Sequence, residues 1–207
     1  DLVRAIFNRG GGLTGLFDKH ATRECLETGM AGNRFVLFDD NPANWDAWDV
    51  DVFHLEKRRE VGPASVARVV EAGPLRVAVA FSYRLGPAST LTQVVSLTAV
   101  SPRLDFATEV EWHESHKFLK VEFPVDARCE FATYETQFGH VRRPTHFNTS
   151  WDLARFEVCA HKWADLSDNG FGMSLINDCK YGHKIKGNVI DLNLLRSVPY
   201  TGPKLVN

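Results

Sequence analysis

The stretch Phe38-Asp39-Asp40-Asn41-Pro42-Ala43-Asn44-Trp45-Asp46-Ala47-Trp48-Asp49 holds two of the chain's five Trp residues and four Asp residues within twelve positions. Indoles and carboxylates together are the side chains of a sugar site. The rings cover the apolar face of a pyranose, and the carboxylates accept hydrogen bonds from its hydroxyls. The candidates are Asp39, Asp40, Trp45, Asp46 and Asp49. The Asx residues and the Pro predict a loop rather than a regular element. The same residue types also serve as core (Trp) and as turn formers (Asp), and composition does not choose between these uses.

A second dense stretch runs from Phe138 to Asp152, with two Arg, two His, an Asn and a Trp. It reads as a long connection between strands, where function concentrates. Its candidates are Arg142, Arg143, His146 and Asn148. Docking onto another domain explains such a loop as well as substrate contact does.

Other chemistry finds less support. In His113-Glu114-Ser115-His116 the two His lie three apart. A zincin helix needs a spacing of four, and on a strand a spacing of three sends them to opposite faces. The cluster is read as the polar tip of a hairpin. There is no G-x-S-x-G elbow, and Gly10-Gly11-Gly12 lacks the Lys of a phosphate loop. Cys25, Cys129, Cys159 and Cys179 are far apart with no C-x-x-C pair. Cys159 sits in an apolar alternation and is expected as a buried free thiol. Asn148-Thr149-Ser150 matches the glycosylation pattern, a common chance match.

The elements that must position these residues are strands. Val77, Val79, Phe81 and Tyr83 alternate with small or polar residues, as do Leu104, Phe106, Val110 and Trp112, then Leu119, Val121 and Phe123, then Ile190, Leu192 and Leu194. Each run predicts a half-buried antiparallel strand, with Lys120 and Glu122 on the wet face of the third. Further strands are expected near 2–8, 34–38, 50–60, 65–71, 91–100, 130–137, 155–161 and 171–176. About a dozen strands with short turns and no helices predict an all-β fold, a large antiparallel β-sandwich, as one domain over 1–207.

The bulk composition is ordinary and globular, with 44% hydrophobic and 24% charged residues. A net charge of −2 with scattered Lys and Arg argues against nucleic acid and against a polybasic membrane patch. No run has the length of a membrane span, and no signal peptide is recognised. Four scattered cysteines without a C-x-x-C pair fit a reducing, cytoplasmic home best, with a disulfide left open. The chain opens Asp1-Leu2-Val3 without a Met, which suggests a piece of a longer polypeptide. The tail Ser197-Val198-Pro199-Tyr200-Thr201-Gly202-Pro203 breaks the strand pattern, so later strands of a parent domain are expected to follow.

One resemblance covers nearly the whole chain. The run Trp151-Asp152-Leu153-Ala154-Arg155-Phe156-Glu157-Val158-Cys159-Ala160-His161-Lys162-Trp163-Ala164-Asp165-Leu166-Ser167 is similar to the C-terminal region of family 38 glycoside hydrolases, the α-mannosidases. So are Gly170-Phe171-Gly172, Leu175-Ile176-Asn177-Asp178-Cys179-Lys180-Tyr181-Gly182 and Leu194-Leu195-Arg196-Ser197. The Asp39–Asp49 segment and Gly11–Lys19 resemble the same family, closest to its cytosolic and bacterial branch.

The resemblance implies a β-sandwich similar to galactose mutarotase, packed on a catalytic α/β barrel. It implies a parent enzyme that hydrolyses α-mannosides with retention, through an Asp nucleophile that also ligates zinc and a second carboxylic acid. Those residues lie N-terminal to this region in the family, so no catalytic residue, metal ligand or cofactor is assigned here, and zinc is expected in the parent's catalytic domain. The implied partners are an α-mannoside or oligosaccharide and the chain's own barrel, with a homo-oligomer left open. Two alternatives remain: a stand-alone carbohydrate-binding module, and a purely structural docking or oligomerisation domain.

Overall fold

A strand that buries one face alternates apolar and polar side chains, and that pattern governs most of this chain. The structure is a computed structural model that describes residues 2–197. Among them, in chain order, the strands are β1 (Val3–Phe7), β2 (Leu13–Asp18), β3 (Arg23–Glu24), β4 (Arg34–Asp39), β5 (Arg58–Glu60), β6 (Val66–Ala72), β7 (Arg76–Arg84), β8 (Thr90–Thr98), β9 (Leu104–Glu111), β10 (Lys117–Pro124), β11 (Phe131–Thr136), β12 (Gly139–Pro144), β13 (Val158–Cys159), β14 (Trp163–Ser167), β15 (Gly172–Ile176), β16 (Gly182–Lys186) and β17 (Val189–Arg196). A 3-10 turn, Val52–Glu56, precedes β5, and one short helix, α1 (Ser150–Ala154), precedes β13. The fold class is all-β with antiparallel ladders, as the alternation predicts.

The chain divides into two compact units. The first takes residues 2–34, 61–113 and 123–126, and the second takes 35–60, 114–122 and 127–197. In the first, the sheets are β1-β2-β3 and β6-β7-β8-β9. The β7–β8 ladder runs unbroken from Arg76↔Thr98 to Arg84↔Thr90. It places Phe81, Tyr83, Leu91 and Val95 in the core. The buried amide of Asn33 donates from Nδ2 to Gln93 Oε1 at 2.7 Å, and Gln93 Nε2 donates to Thr108 Oγ1 at 3.0 Å, while Asn33 Oδ1 accepts no hydrogen bond among the described residues.

In the second unit, the sheets are β13-β16-β17-β10-β4-β5 and β12-β11-β14-β15. Val36, Phe38 and Phe118 form its core cluster, with Val50 and Leu55 against them. Tyr134 of β11 ties the two sheets together. Its hydroxyl accepts a hydrogen bond from the Ile185 N–H at 3.1 Å, and its ring meets His183 edge-on.

The sequence reading needs correction in several places. The strand expected near 50–60 is the 3-10 turn followed by three-residue β5. Its i→i+3 bonds, His54 N–H to Asp51 O and Lys57 N–H to His54 O, turn His54 inwards. The connection 138–152 is mostly ordered structure. It contains β12, paired to β11 through a tight turn with Phe138 at φ 59, and then α1. A capping box holds α1: the Thr149 side chain accepts from the Asp152 N–H, and Asp152 reaches back to the Thr149 N–H.

Of the strand expected at 155–161, only Val158–Cys159 forms. His113–His116 is not a hairpin tip, because β9 and β10 belong to different sheets. Cys159 is exposed rather than buried, and the buried thiol is Cys25. Strands β3, β12, β14 and β16 were not anticipated, whereas β2 lies in the Gly11–Lys19 stretch that resembles the family's early hairpin. The tail reading falls, from residue 198 on, outside the described residues.

The Gly10–Gly12 turn supplies a test of the first unit. Gly11 has φ +82, and a Cβ there would lie 1.9 Å from the Tyr83 hydroxyl oxygen. Gly29 has a similar φ of +79 but nothing within 4 Å. Gly11→Ala is therefore expected to cost roughly 2–4 kcal/mol in urea unfolding, against about 1 kcal/mol for Gly29→Ala, where left-handed strain acts alone. Equal losses would show that Tyr83 simply yields.

Candidate functional site

Strand β4 delivers the first stretch. It ends at Asp39, and the next N–H, that of Asp40, donates to His116 O at 2.9 Å. The Asp40 side chain is buried (2% exposed) and is gripped by the guanidinium of Arg196, the last residue of β17. Arg196 donates from Nε to Asp40 Oδ2 and from Nη2 to Asp40 Oδ1, the latter at 3.1 Å. Nη2 also donates to the backbone carbonyl of Asp49. One side chain thus holds both ends of the loop 40–49.

Inside the loop, the Ala43 N–H donates to Asp51 Oδ2 at 2.8 Å, and the Trp48 and Asp49 N–H groups donate to Trp45 O at 2.7 and 2.9 Å. Trp45 takes φ 59, a left-handed value uncommon for a bulky residue. The outcome is a tight turn with two indoles facing water: Trp45 is 69% and Trp48 78% exposed.

The five candidates of this stretch therefore separate. Asp40 is an anchor, and Asp49 contributes its carbonyl to the clamp while its residue stays exposed. Asp39 pairs with Lys117. Asp46 Oδ2 lies 3.6 Å from His116 Nε2. Trp45 points outwards into water. Beside the loop lies an open recess of about 210 Å³ whose lining includes Asp39, Asn41, Asp51, Phe53 and His54. The carboxylates and exposed Phe53 of this recess are side chains that can receive a polyhydroxylated ligand by stacking and hydrogen bonding, and the neighbouring loop adds two exposed indoles that do not line it.

The second stretch is built differently. Arg142 stacks over Phe131 at 5.1 Å, and Arg143 over Tyr134 at 4.8 Å. Burial lowers the Arg143 pKa, and its Nη1 is a buried donor with no hydrogen bond among the described residues. His146 Nδ1 stands 3.5 Å from Asp152 Oδ2, and the Thr149 hydroxyl lowers the Asp152 pKa by donating to it. Lys186 donates to His146 O at 2.8 Å and lies 3.5 Å over the Phe147 ring, and burial pushes it down to about 8. Asn148 and Trp151 are exposed. The two stretches have separate sets of partners.

Sequence reasoning missed the charges at the centre of the second unit. Lys120, on β10, is wholly buried, with its Nζ 4.9 Å from the Phe38 ring and 4.6 Å from the Phe118 ring. It pairs with Glu157 and stands 3.9 Å from the equally buried Asp191 of β17. Lys184 Nζ is 2.7 Å from Asp191 Oδ2, an ion pair without a well-aligned hydrogen bond. Burial alone would raise the Glu157 carboxyl, but His54, Lys120 and Lys184 outweigh it and hold it down at about 2. The His54 contact is long, at 3.5 Å and poorly aligned, so the lysines are the firmer cause. At Asp191 burial wins and the pKa is raised. Alternation along β10 hid this network, because it assigns water to a face that Glu157 and the 3-10 turn cover.

Among the described residues, no group of three or more His, Cys, Asp or Glu side chains is placed to hold a metal ion. No helix among them is long and apolar enough to cross a membrane.

The fold is all-β and sandwich-like, with aromatic and charged side chains gathered on the 40–49 loop and around α1. Residues 1–203 match the model described as the C-terminal domain of family 38 glycosyl hydrolases, and the chain belongs to that family. It is 52% identical over 197 residues to the protein named alpha-mannosidase 2C1 of Homo sapiens, and 40% identical over 204 residues to an alpha-mannosidase of Saccharomyces cerevisiae. The matches cover 95% and 93% of this chain but 19% of each relative, so the chain spans about a fifth of their length. Its fold is similar to the crystal structure of an alpha-mannosidase from Enterococcus faecalis V583, with a TM-score of 0.78 at 14% identity over 95% of this chain and 25% of that one.

Two measurements test the buried network. Lys120→Met leaves Glu157 and Asp191 short of a cation and is expected to cost about 3–5 kcal/mol in urea unfolding. The second concerns acid. Above about pH 4.5 Glu157 is ionised folded and unfolded, and its ion pairs contribute in full. As the pH falls towards about 2 the unfolded chain takes up the proton first, and that contribution is lost. The raised pKa of Asp191 acts in the opposite sense. Glu157→Gln should therefore be less stable near pH 7 and should lose less on acidification than the unaltered chain. An unchanged acid profile would show that Glu157 is not held as described.

Proposed function

We propose that this chain serves, as one domain over 1–207, a longer retaining α-mannosidase, in which it packs on a catalytic barrel outside these residues and lends loop side chains to the sugar pocket. The observation that carries the reading is the exposure of Trp45 and Trp48 on a loop tied down at both ends, in a chain whose relatives are named alpha-mannosidases. Two large indoles held in water by ordered backbone mark a contact surface. Asp39, Asp46 and Asp49 are the proposed hydroxyl acceptors, and Asp40 the anchor behind them.

For the second stretch, docking on the barrel is the favoured role. Arg142 and Arg143 are engaged in stacking, while Phe147, Trp151 and Leu153 present exposed apolar surface. His146 and Asn148 lie beside that surface. The parent's nucleophile, acid and zinc are placed outside this chain, and no catalytic step is assigned to its residues. A cytoplasmic location is proposed on the four unpaired cysteines.

In the full-length enzyme, the double variant Trp45→Ala/Trp48→Ala is expected to raise KM for an α-mannoside about thirtyfold, since each of the two stacked rings contributes roughly 1 kcal/mol. Asp46→Ala should lower kcat/KM in the same assay. Unchanged kinetics in both, with intact folding, would remove the loop from the pocket. Trp151→Ala, on the exposed apolar surface, should weaken the association of the domain with the rest of the enzyme, read as an earlier and separate thermal transition.

A further inference from the structure

We propose that Arg196 is a positioning residue, which pinches the 40–49 loop shut and so sets how tightly the enzyme holds its sugar. The inference rests on the reading that this loop faces the sugar pocket, and it adds the residue that fixes the loop's shape.

The argument starts from what the loop lacks. Its two largest side chains, Trp45 and Trp48, point into water, so apolar burial does not hold it. Its conformation rests on polar ties. The Trp45 carbonyl bonds are local, and the Ala43 N–H bond to Asp51 Oδ2 ties the front of the loop to a residue beyond its end, but none of these reaches Asp40 or fastens Asp49 to it. The ends meet on Arg196, 156 residues along the chain from Asp40 and 147 from Asp49. The guanidinium suits this task. Its planar fork takes both oxygens of the Asp40 carboxylate and still has a donor for the Asp49 carbonyl. It sits at the end of β17, in a six-stranded sheet, so the clamp is mounted on a rigid element. Asp40 is itself pinned by its N–H bond to His116 O.

A loop closed in this way presents its indoles already in place, and a ligand then loses less free energy in ordering them. Opening the clamp should leave the chemistry untouched and weaken binding. KM should change, and kcat should not.

The test uses the full-length enzyme with Arg196→Lys. A lysine keeps the charge beside Asp40 but lacks the fork to reach Asp49 as well. If Arg196 served only to neutralise Asp40, Lys would restore wild-type behaviour. Under the proposal it does not: chymotrypsin cleaves faster after Trp45 and Trp48, the amides of Ala43, Trp48 and Asp49 exchange faster, and KM for an α-mannoside rises about tenfold with kcat within about twofold. Asp40→Asn, which keeps the side chain's shape and weakens the other half of the clamp, should change the same readouts in the same direction should Arg196→Lys fold poorly.

Wild-type cleavage and wild-type KM together overturn the proposal. So does a raised KM without a loosened loop, because the effect would not run through the clamp. A loosened loop with wild-type KM also overturns it, and the double Trp variant then shows what else has failed. If Trp45→Ala/Trp48→Ala raises KM, the pocket reading survives and only the role of Arg196 falls. If it does not, the pocket reading falls too.

Discussion

The buried ammonium of Lys120 is the constraint on which the second unit depends. Taking an ion out of water costs several kcal/mol even after relaxation, so the residues around it are not free to vary. Glu157 and Asp191 supply opposite charge, Lys184 balances the second carboxylate, and the faces of Phe38 and Phe118 supply π density. These residues come from β10, β17, β16, β4 and the segment before β13, with His54 of the 3-10 turn closing the set. An apolar core tolerates sliding; a core containing charges at fixed separations does not, because each misplacement strands a charge.

That rigidity bears on the loop. Phe38, against Lys120, lies two residues before Asp40 on the chain leaving β4, and Asp191 lies five residues before Arg196 on β17. The two halves of the clamp therefore extend from strands already fixed by the buried charges. The loop inherits its precision from the core. This explains how a segment with two indoles in water can have a defined shape.

Strands such as β7 and β17 were legible because their sequences alternate with a period of two, yet burial does not follow that period: Ala78 and Ala80 are buried beside Phe81 while Val77 is exposed, and Asp191 is as buried as Ile190 and Leu192. β12 and β16 were not legible. Gly139-His-Val-Arg-Arg-Pro144 and Gly182-His-Lys-Ile-Lys186 carry too few apolar residues for a pattern, and their pairing is fixed by neighbours. Lys120 and Glu122 were misplaced for a related reason: alternation reports which side chains differ, not whether the polar ones reach water. The loop at 40–49 was found by residue density, but its internal division of labour was hidden. Asp39 and Asp40 are adjacent and identical, yet only one is buried, and the cause is an arginine more than 150 residues away.

The two dense stretches looked alike as lists of side chains, and their geometry sets them apart. In the first, the chain spends its cations inward: Arg196 and Lys117 engage carboxylates, and what remains outside is aromatic and acidic. In the second, cations lie on aromatic faces, Arg142 on Phe131, Arg143 on Tyr134 and Lys186 on Phe147, and what remains outside is largely apolar. An aromatic and acidic surface suits a neutral, hydroxyl-rich ligand, which can stack and donate at once. An apolar surface beside stacked cations has little to offer such a ligand and much to gain from burial against protein. The proposed division between sugar contact and domain docking rests on where each stretch places its positive charge.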